Sequence, residues 1–299
     1  MKRNIIGLVG CGAWGKNILR DLIALNCRVY VAVRTSESQK KALELGAEKV
    51  FTHADDLPEC DGYVVAVPIP DLAPVSMILL KRKKPIFAEK TLCLSMETAD
   101  ELKKSGGDKY IFVMHKWHYH PGIEALRVIA ATRRLGEIEQ LITTRLDWKK
   151  SFHGGDVFWA LAVHDLTIIK HILGYIPENI RAVNVIKNEG GLPVSVTAML
   201  GDKPTTVLSV SGRHSSKISG VSIHGNKGSA ELHDALDDHI TIRDLNGEEK
   251  VPIDTTFPLF LELKEFAEYL QGGHAPRCGL ENAKEVTRVL LNLREKAGL

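Results

Sequence analysis

The chain has 299 residues, of which 44% are hydrophobic and 25% are charged, and its 39 basic and 37 acidic side chains leave a formal net charge of +2. This length is enough for two domains with separate cores, and the near-neutral charge argues against nucleic-acid binding through bulk charge. No apolar run approaches the ~20 residues of a membrane span, and MKRNIIGLVGCG enters a strand and a glycine turn without a signal-peptide pattern. We therefore expect a cytoplasmic protein with neither a membrane nor a nucleic-acid partner.

Short apolar runs alternate with helical patterns through the first 120 residues. The predicted strands cover residues 4–10, 28–33, 49–51, 62–68, 85–90 and 110–115, and the predicted helices cover 14–25, 37–45, 71–82 and 96–105. This alternation is typical of a doubly wound parallel sheet. We predict an α/β Rossmann domain, which binds a dinucleotide, over residues 1–119.

After Pro121 the order of the elements changes. The predicted helices cover residues 122–134, 157–174, 257–271 and 280–296, and the predicted strands cover 138–148, 180–187, 194–200, 205–212, 217–224, 228–233, 239–244 and 249–253. Consecutive strands joined by turns such as GNKG indicate a mostly antiparallel open sheet. We predict a second, α+β domain for substrate binding and oligomerisation over residues 120–299, whose last helix is a candidate for packing back on the first domain.

The five cysteines are scattered without CxxC pairing, which is typical of reduced thiols rather than of a disulfide framework or a zinc site. The histidine-rich segment HKWHYH, residues 115–120, has the alternation of a strand that would place His118 and His120 on one face. A metal there would need a third ligand from elsewhere. We predict no metal site.

Gly10, Gly12 and Gly15 form the pattern G-x-G-x-x-G between the first predicted strand and the first predicted helix. The first glycine allows a tight turn, the second lets the backbone approach a pyrophosphate, and the third permits close packing of helix on strand. Amides at the helix N-terminus then meet the negative charge. The pattern predicts dinucleotide binding; the alternative is a glycine turn retained for packing alone.

The second strand is followed by Arg34, Thr35 and Ser36, where an NAD-binding protein usually has an acidic residue for the adenosine ribose. A carboxylate would repel a 2′-phosphate, whereas an arginine pairs with it. We therefore predict a preference for NADP(H) over NAD(H). The alternative is a solvated arginine and no preference.

The stretch PIFAEK ends an apolar run with Glu89 and Lys90. An apolar run of this kind predicts a strand buried on both faces, so the charged pair would lie at its carboxyl end. Ligands bind at that edge in open α/β sheets. Lys90 is therefore a candidate working group, with an ion-paired loop lysine as the alternative.

Five segments together resemble the glucose-fructose oxidoreductase, inositol dehydrogenase and MocA-like (Gfo/Idh/MocA) family over residues 4–174. They are GLVGCGAWG, DGYVVAVPIPDL, FAEKTLCLSMETADEL with Thr91 in place of the proline of the family's E-K-P, HYHPGIEALR and GGDVFWALAVHDL. The resemblance implies NAD(P)-dependent oxidoreductases that oxidise a secondary alcohol, or reduce the matching ketone, on sugars, cyclitols and nucleotide-linked sugars.

The resemblance also implies roles for individual residues. Lys90 would contact both the nicotinamide ribose and the substrate hydroxyl, Glu89 would orient it, and His164 would exchange the proton of the alcohol. An imidazole suits that role because it titrates near neutral pH, although His164 taken alone also fits a buried core histidine. The full set predicted to bind cofactor is Gly10, Gly12, Ala13, Trp14, Gly15, Arg34, Thr35, Ser36, Val67, Pro68, Glu89 and Lys90.

The chain departs from the family pattern on the substrate side. Ala160 stands four residues before His164, where the family commonly has aspartate, and Asp156 lies one helical turn further back. Asp156 is either a substrate-facing group or a helix cap. The family's common arginine is matched by His118, next to Lys116. The residues predicted to bind substrate are therefore Lys90, Lys116, His118, Asp156 and His164.

The leading hypothesis is an oxidoreductase that uses NADP, or else NAD, to transfer hydride to or from a polyhydroxylated small molecule. One alternative is a non-catalytic member that binds the nucleotide and regulates a partner, and another is an imine reductase.

The polar run at residues 145–156 is either a substrate loop or an exposed connection. The alternating apolar residues in TTVLSVSG and VSIHG predict that another subunit covers the outer face of the open sheet, in a homodimer or homotetramer; the alternative is a monomer with that face solvated.

Overall fold

The computed structural model describes residues 3–148, 152 and 154–299, and the chain folds as two units. The first unit comprises the chain up to Lys116 together with Phe257–Thr287. The second unit comprises Trp117–Thr256 and Arg288–Leu299. The sequence predicted the boundary between residues 119 and 120, with the last helix as a candidate for packing back on the first domain. In the structure residues 257–287, which include the helix Pro258–Tyr269 and the start of the last helix, belong to the first unit.

Six parallel strands form the sheet of the first unit. They are β1 (Ile5–Val9), β2 (Arg28–Ala32), β3 (Lys49–Phe51), β4 (Gly62–Val65), β5 (Ile86–Glu89) and β6 (Ile111–Met114), in the spatial order β3-β2-β1-β4-β5-β6. Val9 lies opposite Ala32 of β2 and Val65 of β4, so the strand order reverses on the two sides of β1. This is the predicted doubly wound sheet, in which ligands bind beyond the carboxyl ends of the strands where the order reverses.

Helices cover both faces of this sheet because successive side chains of each strand point to opposite faces. The helices are α1 (Gly15–Ala24), α2 (Ser36–Glu44), α3 (Ile69–Leu80), α4 (Met96–Lys104) and the short α5 (Gly107–Tyr110). Leu8 and Phe87 belong to the apolar cluster that contains α1, whereas Val65 and Ala88 belong to the cluster with α3 and α4.

Eight strands form the sheet of the second unit. They are β7 (Ile138–Trp148), β8 (Ile180–Lys187), β9 (Pro193–Leu200), β10 (Thr205–Ser211), β11 (Arg213–Gly225), β12 (Gly228–Leu232), β13 (His239–Asp244) and β14 (Gly247–Pro252), in the order β14-β13-β12-β11-β7-β10-β9-β8. β7 and β10 pair in parallel, and the other neighbours pair antiparallel. The predicted mostly antiparallel open sheet is confirmed.

The helices α6 (Pro121–Ala131) and α7 (Val163–Leu173) pack against each other in the second unit. The predicted strand at residues 115–120 is wrong, because Lys116–Tyr119 forms a 3₁₀ turn. His120 ends this turn as the N-cap of α6, and its Nδ1 accepts a hydrogen bond from the amide of Gly122 at 3.1 Å. Pro121 at the first helical position fixes the helix start, which alternation of polarity does not reveal.

The last two helices are α8 (Pro258–Tyr269) and α9 (Leu280–Lys296). The buried side chains of α8 include Leu259, Leu263 and Phe266, and Phe266 stacks on Phe87 of β5 with 5.0 Å between ring centroids. This apolar stripe covers the α1 face of the parallel sheet, which is the physical reason that the segment belongs to the first unit.

All five cysteines are buried free thiols. Burial raises the pKa of Cys27 and of Cys60 to about 11 and that of Cys93 to about 12, so these thiols stay protonated and unreactive near neutral pH.

None of the helices in the described part of the chain combines the length and apolarity that crossing a bilayer requires.

Candidate functional site

The glycine loop joins β1 to α1 where the strand order reverses. Gly10 has a φ of +93°, and a Cβ there would lie 2.3 Å from the carbonyl oxygen of Ala66. A Cβ on Gly15 would lie 2.4 Å from the carbonyl oxygen of Gly10. Both glycines are therefore required by the packing of the loop itself.

Gly12 differs from its two neighbours in the motif. A Cβ built on Gly12 meets nothing within 4 Å, and the residue is exposed. Packing of the described residues therefore does not require a glycine at position 12. A ligand that approaches the backbone closely from solvent would require one. The loop fits the pyrophosphate of a dinucleotide, which needs a bare backbone at this position.

The other residues predicted near the loop surround it. Ala13 and Trp14 are exposed and lie just before α1, while Val67 and Pro68 connect β4 to α3. The Cγ1 of Val67 would be 3.1 Å from a Cβ on Gly10, so the two connections lie against each other. The crevice between β1 and β4 is thus lined by the predicted side chains.

Arg34 lies in the turn that follows β2 and is exposed. Across residues 3–148, 152 and 154–299, its guanidinium forms no ion pair with a carboxylate. Thr35, in contrast, is the N-cap of α2, and its Oγ1 accepts a hydrogen bond from the amide of Ser38 at 3.2 Å. Ser36 begins α2 and is exposed. The arginine can bind an anion here, while the threonine hydroxyl already serves the helix.

Glu89 is the last residue of β5, and its carboxylate has a fixed position. Trp14 Nε1 donates to its Oε1, and the backbone amide of Lys90 donates to its Oε2 at 3.1 Å. The Lys116 ammonium lies 5.1 Å from the centre of the Trp14 ring. Burial raises the pKa of Glu89, while the charge of Lys90 opposes that shift. The carboxyl edge of β5 therefore carries an ordered cluster of one acid, two lysines and an indole.

A second acid, Glu262 of α8, lies near this cluster and is absent from the predicted site. Its side chain is buried, with 1% of the residue exposed, and its Oε2 has no hydrogen-bond partner among the described residues. Burial raises the pKa of Glu262 well above its usual range, the charge of Glu89 raises it further, and Lys116 opposes both effects. The signal in the sequence was a glutamate inside the apolar stripe of a predicted helix.

His164 is the second residue of α7 and is half-buried. The ring of Trp117 meets it nearly edge to face, with centroids 6.4 Å apart at an interplanar angle of 69°. Trp117 also stacks on His120 at 5.2 Å. Trp117 also contacts Arg145 of β7, whose guanidinium carbon lies 4.2 Å from the centre of the indole ring. The imidazole of His164 therefore lies beside an indole that is itself packed against aromatic and cationic side chains.

Arg145 is itself fixed by the residue after His164. Its Nε donates to Asp165 Oδ2 at 2.9 Å, and the side chain of Asp165 is fully buried. Burial raises the pKa of Asp165, and the charge of Arg145 opposes that shift. The column Asp165, Arg145 and Trp117 is a second feature that sequence reasoning missed, because β7 and α7 are brought together only by the fold.

The predicted substrate residues occupy different environments. His118 is 6% exposed, and its ring centroid lies 4.6 Å from that of His171. His171 Nε2 lies 2.8 Å from Glu124 Oε2, and the pKa of Glu124 is lowered to about 2, chiefly by its hydrogen bond from Arg127. Lys116 lies over Trp14 in the first unit.

Asp156 occupies the position of a helix cap. Its Oδ1 accepts hydrogen bonds from the amides of Phe158 at 2.9 Å and Trp159 at 3.4 Å, and its Oδ2 accepts one from Arg294. Both oxygens are thus engaged within the protein. The geometry is that of the capping alternative rather than that of a substrate ligand.

The helix that carries His164 is not regular at its start. Phe158–Ala162 forms a π-helical turn directly before α7, where the sequence predicted an uninterrupted helix over residues 157–174. The wider turn changes the angular relation between Asp156, Ala160 and His164 that regular helical spacing implies. Such turns occur frequently at functional sites. Of the polar run at residues 145–156, residues 149–151 and 153 lie outside the described part of the chain.

Comparison with known proteins finds similarity in the first part of the chain. Residues 5–110 match the oxidoreductase family with an NAD-binding Rossmann fold. A curated relative, 2,7-anhydro-N-acetylneuraminate hydratase of Escherichia coli (strain K12), is 28% identical over 116 residues, which span 34% of this chain and only 31% of that protein.

Solved structures match along the whole chain. A putative myo-inositol dehydrogenase from Sinorhizobium meliloti 1021 has a TM-score of 0.84 at 20% identity, covering 99% of this chain and 97% of that one. UDP-N-acetylglucosamine 3-dehydrogenase from Acidithiobacillus ferrooxidans has a TM-score of 0.84 at 20% identity, covering 99% and 98%. A levoglucosan dehydrogenase in complex with NADH and levoglucosan has a TM-score of 0.87 at 15% identity, covering 99% and 98%.

At these identities the solved structures establish the fold of both units, and the family match is carried by the first unit. The bare backbone at Gly12, the strand order of the parallel sheet and the matched segment agree with one another. Residues 5–110 match the model of the oxidoreductase family with an NAD-binding Rossmann fold, in agreement with the Gfo/Idh/MocA resemblance of the sequence motifs.

Proposed function

We propose that this protein is a nicotinamide-dependent oxidoreductase that transfers hydride to or from a secondary alcohol or ketone of a sugar, nucleotide-linked sugar or cyclitol. The observation that carries the proposal is the open space in front of Gly12, in a loop where packing explains the other two glycines. A dinucleotide site at the point where the strand order reverses is the use that this geometry fits. The similarity to dehydrogenases named for inositol, UDP-N-acetylglucosamine and levoglucosan supports a polyhydroxylated substrate.

The proposed chemistry divides between two side chains. When bound, the nicotinamide accepts or supplies the hydride. Lys90 follows the strand that ends at Glu89, and its own amide donates to that carboxylate, so the backbone that presents the ammonium is fixed. We assign Lys90 the contact with the substrate hydroxyl, where a positioned ammonium stabilises developing negative charge on oxygen.

His164 is proposed as the group that exchanges the hydroxyl proton. A neutral imidazole takes the proton when the alcohol is oxidised, and an imidazolium returns it when the ketone is reduced. Trp117 fixes the ring from one side, and Arg145 holds Trp117 in turn. With Ala160 in place of the family's aspartate, this aromatic and cationic support is one means of orienting the imidazole.

Arg34 supports the finer proposal that NADP(H) is preferred. Arg34 follows β2, at the point where this fold binds the adenosine ribose of a dinucleotide, and the chain has Arg34, Thr35 and Ser36 there in place of an acidic residue. A guanidinium binds a 2′-phosphate with two parallel hydrogen bonds. Thr35 is assigned to capping α2 rather than to the phosphate.

A homodimer or homotetramer is proposed from the outer face of the second sheet. Ile142 lies opposite Val207, and Val207 lies opposite Met199, so one apolar row crosses three strands. These side chains are only partly buried, and Met199 is 38% exposed. A second copy of the same face would remove the row from water.

A second candidate is a member that binds nucleotide without catalysing net oxidation. Ala160 in place of the family's aspartate favours it. One relative is named a hydratase, so the assay should also detect product that forms without a net change in cofactor absorbance. Binding of nucleotide with no product from any sugar would favour this candidate.

Two similar substitutions in the glycine loop should affect different properties, one the binding of the cofactor and the other the stability of the fold. Gly12→Ala should leave the melting temperature unchanged and weaken NADPH or NADH binding about tenfold or more, because the new methyl group projects into the space needed by the pyrophosphate. Gly15→Ala should lower stability by about 1–3 kcal/mol, because its methyl group would overlap the Gly10 carbonyl. Thermal melts and quenching of tryptophan emission measure the two effects. Unchanged binding in Gly12→Ala would contradict the dinucleotide site.

The catalytic assignment predicts a large loss of turnover. Lys90→Met and His164→Ala should each lower kcat about 10²-fold or more, since each removes a positioned charge or proton carrier. The comparison is His171→Ala, which removes a histidine of the same helix that is engaged with Glu124. Steady-state rates on a panel of sugars and keto-sugars give the result, and wild-type rates in both variants would refute the assignment.

The cofactor preference is tested at one position. Arg34→Asp should lower NADPH affinity relative to NADH about tenfold or more, because it exchanges a charge-assisted pair for repulsion. Arg3→Asp, an exposed control before β1, should leave the ratio unchanged. Titrations with each reduced cofactor provide the ratio. The same ratio in wild type and Arg34→Asp would show that Arg34 is solvated.

The oligomer proposal predicts a molar mass in solution that is twice or four times that of the chain. Val207→Glu places a charge in the middle of the apolar row and should yield monomers. Light scattering coupled to size exclusion measures both proteins. A monomeric wild type would contradict the proposal.

A further inference from the structure

Glu262 is a buried carboxyl group for which packing alone supplies no reason. It lies in the apolar stripe of α8, one helical turn before Phe266, and its Oε2 has no hydrogen-bond partner within the described residues. An ionised carboxylate in such surroundings has a high desolvation cost. Either the carboxyl group is protonated, or a positively charged group binds next to it.

The direction of α8 on the sheet is fixed at its C-terminal end. A Cβ on Gly62, the first residue of β4, would lie 2.8 Å from Leu270 Cδ2, and Asn4, just before β1, donates to the carbonyl oxygen of Ala267 at 2.7 Å. The end of α8 therefore lies at the amino ends of the strands. Its first half, with Glu262, extends towards the carboxyl ends, where ligands bind.

The stacked pair Phe87 and Phe266 gives the position of Glu262 along the strand. From Phe266 back to Glu262 is one helical turn, about 6 Å along the axis. From Phe87 on to Glu89 is two strand residues, about 6.6 Å on the same face of the sheet. Glu262 and Glu89 are therefore neighbours above the end of β5.

The charged groups around the pair come from three parts of the first unit. Lys90 follows Glu89, Lys116 follows β6 and lies over Trp14, and Glu265 stands one turn from Glu262 on α8. Among the described residues, Glu89 accepts two hydrogen bonds, from Trp14 and from the amide of Lys90, whereas Glu262 Oε2 accepts none. Glu89 is thus suited to carry the negative charge and Glu262 to carry the proton.

We propose that Glu89 and Glu262 form a carboxyl pair that holds one proton beside the second mononucleotide half of the dinucleotide site, and that Glu262 releases this proton when an oxidised, cationic dinucleotide binds. The inference rests on the proposed function. Arg34 marks the adenosine half beyond β2, so the other half lies on the β4 and β5 side of the crevice. A reduced dinucleotide has a neutral ring and leaves the proton in place.

The proton balance is simple. On binding of the oxidised form, the O–H bond of Glu262 breaks, the proton passes to solvent and the carboxylate faces the ring cation. When hydride has neutralised that cation, a proton from solvent returns to the pair. Glu262 is in this scheme a positioning residue, since it sets the charge next to Glu89 and Lys90 without touching the substrate. Both carboxyl groups have a raised pKa, chiefly from burial, as a shared proton requires.

The test measures protons rather than turnover. Wild-type protein is titrated calorimetrically with NADP⁺, NAD⁺, NADPH and NADH in two buffers of different ionisation enthalpy near neutral pH. We expect release of up to about one proton per chain with the oxidised forms and little with the reduced forms, because the pair holds at most one proton. The affinity ratio of oxidised to reduced cofactor should then rise with pH, since binding is linked to proton release.

Glu262→Gln keeps the shape of the neutral acid and should abolish both the proton release and the pH dependence of the ratio while retaining binding. Glu268→Gln removes an exposed carboxylate of the same helix, 3.9 Å from Lys264, and should behave as wild type. Equal proton release with oxidised and reduced cofactors in the wild type overturns the inference, whether or not Glu262→Gln folds. Release that persists in Glu262→Gln overturns it as well. A wild type that binds none of the four dinucleotides overturns the proposed function and the inference together.

Discussion

The close approach of α1 to β1 is the constraint on which the nucleotide side of the molecule depends. A side chain at Gly15 would collide with the Gly10 carbonyl, so the helix can start at this distance only with glycine. The approach carries Trp14 towards the end of β5, where its indole N–H reaches Glu89. The position of Glu89 in turn fixes the amide of Lys90. A packing requirement at two glycines is thus transmitted to the side chains beyond β5.

The second unit achieves order at His164 by different means. No glycine loop is involved; a buried ion pair orients Arg145, the guanidinium lies on Trp117, and the indole meets the imidazole. Buried pairs of this kind contribute little net stability, because the cost of removing two charges from water offsets their attraction. Their use lies in restricting the geometry of what they contact. The loss of aspartate at Ala160 is therefore compatible with an ordered histidine.

Much of this architecture was predictable because it rests on local patterns. Alternation of apolar runs with helical periodicity predicted all six parallel strands, and the spacing of three glycines predicted the loop. Local patterns failed in one short turn and where distant parts of the chain meet. Polarity alternates in HKWHYH as it would in a strand, yet Pro121 starts a helix that shapes the residues before it. The partnership of Glu262 with Glu89 joins residues far apart in the chain.

The roles of side chains were harder to predict than the helices and strands, because they too depend on contacts that local patterns do not show. The sequence left Asp156 either as a substrate-facing group or as a helix cap, and in the structure its oxygens accept hydrogen bonds from the start of the next helix and from Arg294. His118 was expected to face the substrate and is buried against His171. The type of a residue and its spacing define the roles that its side chain can have. The neighbouring residues in the fold determine which of those roles it has. The π-helical turn before α7 has no signature that spacing could reveal.

The return of residues 257–287 to the first unit has a consequence for how the protein is made. The face of the parallel sheet that carries Phe87 is covered by Phe266, so a nascent chain must hold that face open while the whole second sheet is being synthesised. The first unit therefore begins to form first but is completed only after the second sheet has been synthesised. During translation its uncovered apolar surface is open to misassociation and to capture by chaperones. A fragment that ends before α8 would keep that surface permanently.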